Sequence, residues 1–116
     1  MSKAQRDKGK RGEREFASIC RSYGYTDARR GQQYCGSHGD ADVIGLPGIH
    51  VEVKRVERLD LLGAMSQAIG DARDGEMPVV AHRRNNCGWL ITMRLDDWFA
   101  VYNSSDLPSQ GGNHEI

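Results

Sequence analysis

Asp42, Glu52 and Lys54 are the residues of this chain whose types and spacing could do chemistry. Ile49, Val51 and Val53 alternate with His50, Glu52 and Lys54. That alternation is a strand with one apolar and one polar face, so the carboxylate and the ammonium project side by side. Asp42 precedes a short apolar run at 43–46, ten residues before Glu52. Two carboxylates and a lysine converging at the middle of a sheet are costly without a ligand. A divalent cation resolves that cost. Mg2+ takes carboxylate oxygens and keeps waters for a phosphate group, and Mn2+ suits the same oxygen donors. Such an ion lowers the pKa of a bound water and polarises a phosphodiester. A nearby ammonium orients that water or offsets charge growing on the phosphate. Without chemistry, the same residues are an exposed strand face with a Glu–Lys neighbour pair worth little.

Several elements must position these groups. Phe16, Ile19, Cys20 and Tyr23 recur on one helical face, and Gly24 can end that helix in the left-handed conformation. Glu13 lies on or beside this apolar face. A carboxylate pointing inward there needs a cation. The plain alternative puts it at the edge of the stripe, reaching water and pairing with a nearby Arg. Residues 26–34 suit a short polar strand and 35–41 a Gly-rich loop. Pro47-Gly48 signals a type II turn. Residues 59–74 read as a second helix, with Leu62, Met65, Ile69 and Ala72 at helical spacing and Gly75 able to cap it. Strands at 78–83 and 89–93 follow, then a short helix at 96–102 with Leu95 and Phe99 on one side. Helix, three strands, helix, two strands and a short helix imply an α/β fold with a mixed central sheet flanked by helices.

Register poses a conflict. A two-residue loop at Pro47-Gly48 pairs Leu46 with Ile49 and Asp42 with Val53, which turns Asp42 away from Glu52. A shared site therefore demands an odd shift: a three-residue loop, or a bulge at Gly45 or Gly48.

At 116 residues the chain is the size of one domain and long enough to bury a core without disulfides. Its 38% hydrophobic and 28% charged residues suit a soluble globular protein. No apolar run reaches membrane-helix length, and no secretory signal follows the basic N-terminus. Three cysteines argue against a secreted disulfide scaffold and for a reducing, cytoplasmic setting. The net charge of zero hides an asymmetry. Residues 1–30 hold nine Lys/Arg and four Asp/Glu, and residues 31–116 hold seven and twelve. A basic front suits a polyanion and surplus acids suit a cation, although a solvated basic tail gives the same count. The expected organisation is a frayed basic arm at 1–10, a single domain at 11–102 and a flexible tail at 103–116.

Asp42-x9-Glu52-x-Lys54 resembles the PD-(D/E)xK signature of restriction-endonuclease-like nucleases, and the order of elements resembles their αβββαβ core. KGKRGEREF at 8–16 looks like the first helix of archaeal-type Holliday junction resolvases and of VRR-type nucleases. PVVAHRRNNCGWLITMRLDDW at 78–98 looks like the closing strands of small phage-borne members. The resemblance covers residues 8–102. It implies a metal-dependent DNA endonuclease. Mg2+ or Mn2+ would be held by Glu13, which matches the family's helix-one glutamate, with Asp42, Glu52 and the Val53 carbonyl. Lys54 would orient or activate the attacking water, and Gln67 resembles a glutamine carried beside the site. Ala41 stands where the motif has Pro, and Asp40 is a second candidate for the role of Asp42.

Small members of such families often act as homodimers, and one subunit here is too small to enclose a duplex. Structure-selective cleavage of branched DNA, as by a resolvase, is the expected activity. Nicking, flap or general nuclease activity is the alternative, and a non-catalytic DNA-binding module is the alternative of another class. Lys8, Lys10, Arg11 and Arg14 cluster beside Glu13 and would meet phosphates, as would Arg29, Arg30 and Arg55. Trp89 and Trp98 fall in apolar runs and are expected in the core. His50 is expected to be a partly exposed strand residue. Cys35-x-x-His38 is half a zinc site at most, because Cys20, Cys87, His50 and His82 supply no second tight pair.

Overall fold

A computed structural model describes residues 2–31 and 41–107. Cys35, His38, Asp40 and the tail beyond 107 lie outside the described residues. The elements are α1 (Lys3–Ser22), β1 (Arg29–Arg30), β2 (Val43–Ile44), β3 (Ile49–Arg55), α2 (Leu61–Asp71), β4 (Met77–Arg83), β5 (Leu90–Met93) and α3 (Leu95–Asn103). The first six follow the expected αβββαβ order. The five strands among the described residues build one sheet in the order β1-β2-β3-β4-β5. Only β3 and β4 run parallel, joined by the α2 crossover. No helix among the described residues is long and apolar enough to cross a membrane.

The alternation along β3 decides which helix covers which face. Val51 and Val53 join Phe16, Ala17 and Cys20 of α1, with Ala28, Val43, Val79 and Ala81, in the main core. Trp89 packs against this core, with its ring 5.4 Å from that of Phe16. On the opposite face α2 presents Ala64, Met65 and Ala68 to Val80. The polar face of β3 is therefore covered by α2 rather than open to water.

Three expectations need correction. Residues 2–10, expected within a frayed arm at 1–10, are ordered as the capped start of a helix. The Ser2 hydroxyl accepts from the Gln5 N–H (3.1 Å) and the Gln5 side chain accepts from the Ser2 N–H (3.0 Å), a reciprocal cap that starts α1 at Lys3. A Lys3–Asp7 pair one turn apart adds to it. Second, the buried stripe of α2 is rotated from the one expected. Leu62 is 80% exposed and Ile69 also faces water, while Ala64 and Ala68 face the sheet. The small Ala64 and Ala68 allow α2 to approach the sheet closely beside Met65, and Leu62 and Ile69 lie on its outer side. Third, Trp98 is 45% exposed and stacks on Tyr102 and against Phe99 instead of entering the core. No residue of α3 is buried.

Candidate active site

The odd register shift is present, and Gly45 supplies it. Pro47 and Gly48 make the tight turn, closed by the Ile49 N–H on the Leu46 carbonyl (3.2 Å), with Gly48 at φ +81°. A regular continuation would set Val43 opposite Glu52, but Val43 pairs with Val51. The extra residue sits on the β2 side, where Gly45 adopts φ +97°. A Cβ there would collide with the Asp27 carbonyl and the Ala28 backbone, so the segment just before β1 presses directly on this backbone.

Beyond Val43, Asp42 takes over the edge of β3 with its side chain. Its own N–H donates to the Val51 carbonyl (3.0 Å), and its Oδ2 accepts from the Val53 N–H (2.8 Å). The carboxylate thus stands where the next strand carbonyl would be, which holds it beside Glu52. The first cause of its perturbation is burial. The Glu52 carboxylate adds to it, and Glu13 adds a smaller repulsion. Against the Val53 N–H and the Lys54 ammonium, these push Asp42 from 3.8 up to about 7.

Glu13, Asp42, Glu52, Val53, Lys54 and Gln67 all line one cleft of about 680 Å³. The residues expected to carry the chemistry are thus brought together from α1, β3, α2 and the approach to β2. Gln5, Arg6, Lys10 and Arg30 line it as well. Glu13 already has a cation: Arg30 Nε donates to its Oε1 at 2.8 Å. This is the pairing that the helix pattern offered as the alternative to an ion.

The expected phosphate contacts divide. Lys10 and Arg30 line the cleft. Arg11 and Arg14 are exposed on α1, while Lys8 pairs with Glu57 (3.4 Å). Arg29 is exposed and donates to the Asp27 carbonyl (2.8 Å). Arg55 departs from expectation. Odd-numbered β3 residues face α1, and Arg55 lies there against Gly12, 4.0 Å from Glu15, which a two-contact bond from Arg83 also engages. Arg6 went unnoticed in the sequence because residues 3–10 were not expected to be helical.

His50 also departs from expectation. It is 2% exposed, as is Glu52, and its Nε2 lies 2.8 Å from Glu52 Oε2. The hydrogen bond to Glu52 pushes the His50 pKa up against its burial, and the charges of Glu52, Glu76 and Asp71 act the same way. Neither Glu76 nor Asp71 carried any sequence signal beyond its type.

Asp42 gives the metal-free protein a defined pH dependence. The fold binds its proton up to about pH 7, and the unfolded chain releases it near 3.8. Between those values the folded state holds more protons, so stability is lost as pH rises. In chelator, the melting temperature of wild type should fall more steeply than that of Asp42→Asn across pH 4.5–7. Parallel curves would remove Asp42 as the titrating group.

No family model matches this chain, and no curated protein or solved structure matches it.

Proposed function

We propose that this chain is a metal-dependent DNA endonuclease of the PD-(D/E)xK type, acting on branched DNA. One observation carries the reading: residues as far apart in sequence as Glu13 and Gln67 converge on one cleft, where a bulge holds Asp42 beside Glu52. Carboxylates crowded enough to hold a proton near neutrality have a use for a divalent cation. Asp42 and Glu52 would hold Mg2+ or Mn2+, with the Val53 carbonyl beside them. Glu13 would join once it leaves Arg30. The ion supplies Lewis acidity and an acidified water. Lys54 orients that water toward the phosphorus, and Gln67 makes a supporting polar contact. Arg6, Lys10 and the freed Arg30 would then face phosphate oxygens. A DNA substrate and a reducing setting place this work in the cytoplasm.

The test is cleavage of a labelled panel with Mg2+: four-way junction, flap, nicked duplex and linear duplex. Paired symmetric cuts in the junction with linear duplex spared are expected. Equal cutting across the panel would make it a general or nicking nuclease. The Arg30–Glu13 bond favours one rival, a binding module whose cleft is neutralised by protein alone. Binding without cleavage in Mg2+ and Mn2+ would establish that rival. Mg2+ at a hundred times its Kd should raise the melting temperature by about 10 °C, an effect absent in Asp42→Asn.

The active form we read as a homodimer. β5 ends the sheet, and Leu90 and Ile91 on it are exposed. After it in the chain, α3 exposes Leu95, Trp98, Phe99 and Tyr102. An open strand edge followed in the chain by an uncovered aromatic helix suits a second copy of the same elements across a two-fold axis. Sedimentation should show a dimer for wild type and a monomer for Trp98→Glu. A wild-type monomer at 50 µM, taken as roughly the working range for such an interface, would overturn the dimer.

A further inference from the structure

His50, Glu52 and Asp71 form a cluster that the endonuclease reading does not use beyond Glu52. One potential donor atom from each lies within 4.8 Å of the others. His50 and Glu52 come from the covered face of β3, and Asp71 is the last residue of α2, so the cluster ties the end of the helix to the strand beneath it. His50 Nδ1 faces Glu76 Oε1 at 3.8 Å, which places a third carboxylate around one imidazole. The cluster has its own approach. His50 and Glu76 line a second cleft of about 420 Å³, bounded by the turn at 45–49, whereas Glu52 lines the first. The His50–Glu52 pair is therefore a wall between two openings.

An ion with donors at about 2.1 Å holds neighbouring donors roughly 3 Å apart and opposite ones about 4.2 Å apart. Donors up to 4.8 Å apart here would close by about 0.6 Å to sit opposite one another on the ion, or by about 1.8 Å to sit as neighbours. An imidazole with two carboxylates is a different donor set from the all-oxygen set around Asp42, and it suits first-row transition ions rather than Mg2+. We propose that His50, Glu52 and Asp71 bind a second divalent ion of the transition-metal class, adjacent to the Asp42 site and sharing Glu52 with it. The proposal rests on the endonuclease reading only in assigning Glu52 to both sites. Bound there, the ion fixes the Glu52 side chain and joins the C-terminal end of α2 to β3. Glu52 would then serve both ions, and the second ion would supply positive charge beside the first.

Mn2+ alone is the probe, and the readout is independent of cleavage. Electron paramagnetic resonance counts bound Mn2+ on the full chain, and echo-envelope modulation detects nitrogen coordinated to it. Wild type should bind two ions, one with a histidine nitrogen coupling. His50→Gln should lose one ion and the nitrogen signal. Asp71→Asn, at the half-buried rim, should weaken that ion at least about tenfold, a ligand-loss effect of the usual size, with an unchanged circular dichroism spectrum. Asp42→Asn should lose the other ion and keep the nitrogen signal. A single Mn2+ without nitrogen coupling, unaffected in His50→Gln and Asp71→Asn, would overturn this inference and leave the endonuclease reading standing. No Mn2+ at all would overturn both.

Discussion

A Lys54→Ala protein is expected to bind branched DNA within about twofold of wild type and to cut it at least about a hundredfold more slowly. Lys54 follows Glu52 on the same face of β3 and lines the cleft with Asp42. Its ammonium lowers the Asp42 pKa, which places its charge within reach of the carboxylates. An amine there can orient a water on the ion and offset charge on the attacked phosphate. It is not among the groups that would hold the ion, so metal binding should persist. Lys54→Arg should not restore cutting, because the planar guanidinium keeps its proton throughout and has another shape. Single-turnover cleavage and fluorescence anisotropy on one labelled junction separate the two effects. Full activity in Lys54→Ala would sink the mechanism.

The second large effect is structural. Gly45→Ala should destabilise the fold by about 3 kcal/mol, combining a strained positive φ with overpacking against backbone. The added carbon would collide with the Asp27 carbonyl oxygen, and neither partner is the movable end of a side chain. The clash is relieved only by expelling the bulge or displacing the Asp27–Ala28 backbone. Expelling it restores the regular register, which turns Asp42 away from Glu52. Stabilisation by Mg2+ should therefore disappear along with fold stability, unlike in a plain core substitution. Denaturant melts with and without Mg2+ measure both. A Gly45→Ala protein as stable as wild type and fully stabilised by Mg2+ would refute the role given to the bulge.

Much of this was legible in the sequence because it rests on local rules. The period-two pattern of β3 and the Pro47-Gly48 turn located the strand bearing Glu52 and Lys54. Parity then required an irregularity at Gly45 or Gly48, since side chains opposed across a hairpin share a face. Other features depend on tertiary contacts. Nothing in the alternation of β3 says that α2 will cover its polar face, so His50 read as half-exposed and is buried. The helical periodicity of α2 selected Leu62 and Ile69 by size, whereas close approach to the sheet selected Ala64 and Ala68. Arg55 followed its strand parity to the α1 side. The partner of Glu13 depended on Arg30, placed by a two-residue strand whose register no local pattern states. The Ser2–Gln5 cap was readable, and was missed because residues 3–10 lack apolar spacing.

Helix α1 is not equally anchored along its length. Its buried residues begin at Gly12, and the contacts that hold the preceding turns include the Ser2 cap, the helical ladder, the Lys3–Asp7 pair and a contact from Lys8 to Glu57. Those turns carry Gln5, Arg6 and Lys10, which overhang the cleft. Amide hydrogens there should exchange with solvent orders of magnitude faster than those near Phe16, since they open without global unfolding. A polyanion seated on the overhang would slow that exchange. Its binding would then show a salt-dependent protection footprint confined to the first turns of one helix.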